Sequence, residues 1–270
     1  MSIVTYDRHI ELDIKTKEPF DRIWAFHHRE APLLTVPDSL SDGICCPALD
    51  NDEMTLIPLS RPVEQIRLCA SVADSSFAHS AFYGFSLENG RSGVLYHSFG
   101  INGNTYAAIN RNPQIVRQAS GLCPDLVIVS LGTNDSYGAS FDPADADVQI
   151  TRLIDSIRRN MPASVLLLTT PMEHCRRIRS KGRTYRKPNP NACAMRECIL
   201  RQAALYRLPV WDFYAAAGGD GAMGRWADLG IANADRVHLS REGYRLQGKL
   251  FYDAIMKAYD HYRKHNGELK

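Results

Sequence analysis

LVIVSLGTND, residues 126–135, decides the fold. Leu126 to Leu131 is a short apolar run rich in β-branched residues, too short for a helix that crosses a domain and closed by Gly132. It reads as a buried strand, and Ala144–Asn160 behind it reads as a helix. The same unit recurs on both sides: Val94–Phe99 then Thr105–Ala119, Val165–Thr169 then Ala192–Tyr206, and a last strand at Pro209–Tyr214. Strands alternating with helices predict a doubly wound parallel sheet, an α/β fold. Ser240–Lys264 sets Tyr244, Phe251, Ile255, Ala258, Tyr259 and Tyr262 close to a 3.6 period, which predicts a closing amphipathic helix.

Residues 1–92 have a different texture. The runs Ile10–Ile14, Arg22–Phe26, Met54–Leu59, Gln65–Val72 and Ala81–Leu87 are separated by Pro, Asp, Ser and Gly, the pattern of short strands. The change falls at the Gly90–Gly93 turn, so the expected organisation is a β-rich segment, 1–92, followed by an α/β domain, 93–270.

The chain has 270 residues, 44 % hydrophobic and 23 % charged, with a formal net charge of +2. That is enough apolar material for a core and excludes a disordered or fibrous chain. The longest apolar runs fall well short of the roughly 18 residues a membrane helix needs. The opening MSIVTYDRHIELD has no apolar h-region, so no secretion signal is expected in it. Seven cysteines at irregular spacing match neither a disulfide framework nor a CxxC metal site and read as free thiols.

In parallel sheets chemistry collects just beyond the carboxyl ends of the strands. Three places qualify: Gly100-Ile-Asn-Gly103-Asn-Thr105, Gly132-Thr-Asn134-Asp135, and Asp235-Arg-Val-His238 ahead of the last helix. An Asp and a His three apart on one turn can set the carboxylate against the imidazole Nδ1–H, fixing its tautomer so that Nε2 accepts a proton. A glycine N–H and an asparagine amide supply two uncharged donors for an oxyanion. Each feature alone is an ordinary turn or cap; the three in order are more specific.

Gly103 in INGNT, Asn134 in LGTND and Asp235 with His238 in DRVHLSREGY resemble the second, third and fifth blocks of the SGNH (GDSL-type) hydrolases. YGFSLENGRSGVLYHSFGINGNTY, Thr169–Pro171 and GGDGAMGRWADLGIANADRVHLSREGY are similar to the peptidoglycan O-acetylesterase-like subgroup of that family. The resemblance implies a flavodoxin-like α/β domain preceded by part of a carbohydrate-binding-like β-sandwich. It also implies a serine esterase, most plainly a carbohydrate O-deacetylase: His238 as base, Asp235 as its orienter, Gly103 and Asn134 in the oxyanion hole, and no metal or organic cofactor.

The family's GDS serine has no counterpart string. Ser75, in ADSS, follows the apolar Ile66–Val72 run and precedes Gly103 by 28 residues, room for a helix and a strand. Ser86, in GFSL, lies only 17 residues before Gly103, too close for a parallel crossover, and reads as a strand residue. The third reading places no nucleophile in this chain, which then is an inactive or truncated relative that binds glycan or serves as a scaffold. The expected partner is an acetylated glycan or small ester, with no nucleic acid and no membrane span; oligomeric state is not legible. A family location in the bacterial cell envelope and a cytoplasmic one, in keeping with free thiols, both stay open.

Other signals are weaker. Gly219–Gly224 spells GxGxxG but opens no crossover helix, and a glycine-rich rim is expected there instead. Seven basic residues, Arg176, Arg177, Arg179, Lys181, Arg183, Arg186 and Lys187, predict a solvated loop, with an anionic polymer as the alternative use. His27, His28, His79, His97 and His174 lack metal-like spacing and read as surface or packed histidines. No GxSxG elbow is present.

Overall fold

The computed structural model describes residues 3–41, 46–47, 53–72 and 79–266. Two compact units emerge: Met1–Ser98 with Arg117–Leu122, and Phe99–Val116 with Cys123–Lys270.

The first unit carries a five-stranded sheet. Its strands are β1 (Ile3–Thr5), β2 (His9–His27), β3 (Cys46–Pro47), β4 (Met54–Ser71) and β5 (Ser80–Glu88), in the order β1-β5-β2-β4-β3 and antiparallel throughout. Four of the short strands expected from the sequence are two long ones. Ile10–Ile14 and Arg22–Phe26 lie towards the ends of β2, and Met54–Leu59 and Gln65–Val72 fall at the ends of β4, which closes at Ser71. Pro19 and Pro62, which read as breaks, lie where the β2–β4 register shifts between Lys15 and Arg22. A proline missing its ladder N–H is tolerated at such a bulge, so both strands run through it. Ile23, Ile57, Leu68 and Phe82 are fully buried in one core that draws on both ends of the long strands.

Because residues 66–71 belong to β4 and pair with β2, they cannot stand in for a strand of the parallel sheet. The interval between Ser75 and Gly103 holds β5, an antiparallel strand, instead of the expected helix and strand. Ser75 itself lies outside the described residues.

The second unit holds the parallel sheet, order β10-β7-β6, from β6 (Leu126–Ser130), β7 (Val165–Thr169) and β10 (Val210–Trp211). Its helices are α1 (Tyr106–Arg111), α2 (Gln114–Ser120, shared with the first unit), α3 (Thr133–Tyr137), α4 (Pro143–Asn160), α5 (Pro190–Tyr206), α6 (Phe213–Ala216), α7 (Ala222–Asp228) and α8 (Arg241–Asn266). The crossovers start on local chemistry. Asp142 caps α4 by accepting from the Ala144 N–H at 2.9 Å, and Pro143 and Pro190 occupy first-turn positions that need no N–H partner. Ala146, Ile150, Leu153, Ile154 and Ile157 form the buried stripe of α4. Trp211 of β10 meets Phe251 of α8 with ring centroids 4.8 Å apart.

Three expectations are corrected. Val94–Phe99 forms no strand, with Val94 94 % and Tyr96 82 % exposed. An apolar run becomes a strand only where its N–H and C=O groups find a ladder, and among the described residues none pairs with it. Thr105–Ala119 is two helices, because Pro113 cannot donate into the turn behind it. Pro209–Tyr214 yields a two-residue strand, since Asp212 accepts from the Ala215 N–H and turns the chain into α6.

The basic run is also no loop. Cys175–Ser180 (β8) and Arg183–Pro188 (β9) form an antiparallel hairpin. Lys181 (φ 47°) and Gly182 (φ 75°) both take the left-handed conformation required by a two-residue hairpin turn.

Candidate active site

Asp235 and His238 are brought together by one turn. The His238 Nδ1 lies 2.8 Å from Asp235 Oδ2, while Asp235 Oδ1 accepts the N–H groups of Val237 (2.9 Å) and His238 (3.0 Å). Desolvation pushes the Asp235 carboxyl up, but the hydrogen bonds from the His238 ring and the two amides, with the charge of His238, outweigh it and hold the pKa below the usual carboxylate range. Asp235 therefore stays an acceptor, and the Nδ1–H must point at it, leaving the Nε2 lone pair outward. The imidazole is 63 % exposed, and no hydroxyl among the described residues bonds to Nε2.

The turn is anchored at its back. Arg236 takes a left-handed φ of 54°, and its carbonyl accepts the Cys175 N–H at 2.8 Å. The Asn233 N–H donates to the His238 carbonyl (2.8 Å), and the Arg186 guanidinium donates to the Asp235 carbonyl (2.6 Å).

Gly103 and Asn134 also adjoin. The Asn134 amide donates one N–H to the Asn104 carbonyl at 2.9 Å, leaving its second N–H available. Gly103 has φ 74°, a conformation glycine adopts without strain, and among the described residues nothing accepts its N–H. Asp135 ties the two segments further: its Oδ1 accepts the Tyr106 N–H at 2.9 Å. Burial pushes the Asp135 carboxyl up, and the amides of Tyr106, Asp135 and Gly132 offset that only in part.

A segment unread in the sequence bridges the two pairs. The Asn189 amide donates to the Ser136 carbonyl (2.8 Å) and lies 3.1 Å from His174 Nε2, and His174 stacks on Tyr137. Cys175, the next residue, holds Arg236. Thus α3, which carries Asn134, and the Asp235–His238 turn share one scaffold, residues 174–175 with Asn189. Burial pushes the His174 pKa down, so its ring is kept neutral. The sequence reads His174 as a surface or packed histidine, and it is packed; its position between the two pairs has no sequence signal.

The glycine-rich rim resolves similarly. Glu173 is buried, and its carboxylate accepts the Gly221 N–H (2.9 Å) and the Met223 N–H (3.0 Å) at the start of α7. The donors that a dinucleotide phosphate would need are taken. Ser86 sits on β5 opposite Trp24, buried, with its hydroxyl donating to Glu88 at 3.3 Å, the strand position expected for it. No group of three His, Cys, Asp or Glu able to hold a metal occurs among the described residues, and no described helix is long and apolar enough to cross a membrane.

A family model described as GDSL-like lipase/acylhydrolase matches residues 73–246, a span that includes Gly103, Asn134, Asp235 and His238. The chain belongs to this family. No curated protein matches it. Among solved structures it is similar to a peptidoglycan O-acetylesterase, at TM-score 0.60 and 17 % identity over 95 % of this chain and 77 % of the other. Two others are a lipase/acylhydrolase from Enterococcus faecalis, with TM-score 0.41 and 23 % identity over 57 % and 71 %, and the acetyl xylan esterase AlAXEase, with 0.45 and 18 % over 58 % and 78 %. The first resembles nearly the whole chain in fold and supports the family's SGNH-hydrolase fold. Ser75 falls two residues after the start of the matched span.

Proposed function

We propose that this GDSL-like acylhydrolase removes acetyl groups from a carbohydrate. The observation that carries the reading is the Asp235–His238 pair at 2.8 Å, its Nε2 turned to solvent, in a chain whose family performs acyl transfer. His238 takes the proton of an attacking oxygen and returns it to the leaving alcohol, and Asp235 stabilises the imidazolium between those steps. The Gly103 N–H and the free N–H of Asn134 receive the negative charge that develops on the carbonyl oxygen. The carbohydrate assignment draws on the fold shared with a peptidoglycan O-acetylesterase.

The attacking oxygen is a serine hydroxyl in this scheme, forming an acyl-enzyme that water then cleaves. Ser75 is the candidate inside the family match. The test is hydrolysis of 4-nitrophenyl acetate by the chain, His238→Ala and Ser75→Ala. Loss in both variants supports the full scheme; loss in His238→Ala alone assigns the nucleophile to another oxygen. A folded chain no faster than His238→Ala overturns the esterase reading. That result would favour the second reading, a glycan-binding relative without catalysis.

A further inference from the structure

The β8–β9 hairpin breaks the rule that governs cross-strand pairs. Residues directly opposite share a face, and like charges there repel; yet Arg176 faces Lys187 and Arg177 faces Arg186. Between Cys175 and Pro188 lie seven cations and no acid, while the whole chain is only +2, so everything outside the hairpin is net acidic. Among the described residues none of the seven forms an ion pair. Every residue of β9 is exposed. An element that holds unneutralised charge at a stability cost, with no compensating partner of its own, is expected to meet that partner outside the molecule.

The hairpin's position says where that partner goes. Its first residue, Cys175, donates to the Arg236 carbonyl, and Arg186 donates to the Asp235 carbonyl, so the base of the hairpin is fixed to the turn that bears His238. Arg177 shares a face with Arg186, and Arg179, two residues along, continues that face away from the turn. A row of guanidinium groups therefore leads up to the turn that carries His238.

We infer that β8–β9 is a docking arm for a carboxylated glycan, holding an anionic, O-acetylated polysaccharide so that its ester groups reach His238. The inference rests on the acetylesterase reading and adds to it the charge of the substrate. Five of the seven cations are arginine, whose planar fork binds carboxylates through two parallel hydrogen bonds. A nucleic acid is the poorer fit. Strand-tracking surfaces interleave aromatics with cations for base stacking, and Tyr185 is the one aromatic of the hairpin; a polynucleotide also carries no acyl ester for the neighbouring base to act on.

The test compares acetate release from O-acetylated polygalacturonate, which is anionic, and acetylated xylan, which is neutral, with 4-nitrophenyl acetate as the small ester. In low salt the chain should show the lower KM on polygalacturonate, and the advantage should shrink as salt rises. In Arg177→Gln/Arg179→Gln the ratio of kcat/KM on acetylated polygalacturonate to kcat/KM on 4-nitrophenyl acetate should fall about tenfold, mostly through KM. Equal KM on both polymers, or an unchanged ratio in the variant, overturns the arm. Polyuridylate competing as well as de-esterified polygalacturonate overturns the glycan assignment. If the chain hydrolyses no ester at all, the acetylesterase reading fails separately, and retardation on a polygalacturonate gel then decides: retardation lost in the double variant supports the arm, and none in the parent chain overturns it.

Discussion

The carboxylate of Asp135 accepts the backbone N–H of Tyr106 at 2.9 Å, fixing the helix that begins beyond β6 to the first turn of α1. Asn134 and Gly103 sit one and three residues from these two ends, so this hydrogen bond, with that from Asn134 to the Asn104 carbonyl, sets the spacing of the two proposed oxyanion donors. Oxyanion stabilisation depends on donors already in place before charge develops.

Asp135→Ala should therefore destabilise the chain by about 1–3 kcal/mol, the range for losing a partner of a partly buried amide. It should also lower kcat on 4-nitrophenyl acetate. Asp135→Asn keeps an acceptor oxygen for Tyr106 and should recover most of both. Urea unfolding read beside steady-state kinetics separates the two effects.

Asn134→Ala removes a donor while leaving the Asp235–His238 turn untouched. The expected loss is roughly 100- to 1000-fold in kcat, with KM nearly unchanged, because the donor acts on charge that exists only in the transition state. An equal loss divided between kcat and KM would remove Asn134 from the oxyanion hole.

His174 gives the chain an acid-sensitive joint. Its folded pKa lies below the ordinary 6.5 because burial disfavours the charged ring. Above 6.5 the ring is neutral folded or unfolded, and its contribution is complete. As the pH falls below 6.5 the unfolded chain binds the proton first, so stability declines until the lowered folded value is passed. His174→Gln should flatten that part of the profile, checked by urea midpoints between about pH 7.5 and about pH 5.

Gly243, in the first turn of α8, has no room for a side chain. A methyl there would overlap the Ile231 carbonyl oxygen and crowd Leu239. The same carbonyl accepts the Ser240 N–H, so the clash bears directly on the segment that follows His238. Gly243→Ala should cost about 1–3 kcal/mol as an overpacked contact, seen as a lowered Tm, with esterase activity falling in parallel.

What could be read from the sequence follows how local each feature is. β6, β7, α4 and α5 stand within two residues of their expected bounds, since apolar period, proline and cap residues all agree there. The Asp235–His238 pair was legible for the same reason: both members lie on one turn. Val94–Phe99 shows the opposite case, because its apolar and aromatic content is strand-like but pairing is a property of neighbours. The β8–β9 hairpin was misread as a loop because charge outweighed the lone Gly182 turn signal. The joining roles of His174, Asn189 and Asp135 carried no signal, as each acts through a partner 15 or more residues away.

The construction of the dyad within four residues has a kinetic consequence. Since Asp235 Oδ1 grips the His238 amide while Oδ2 grips its ring, the two side chains form one rigid body. Loosening of the turn from behind, through Arg186 or Cys175, moves that body as a whole. Changes there alter how often the proposed base is in register with an attacking oxygen, but they leave its tautomer intact. Substitutions behind the turn should scale the rate by one factor at every pH, and substitutions inside it should change the shape of the pH profile.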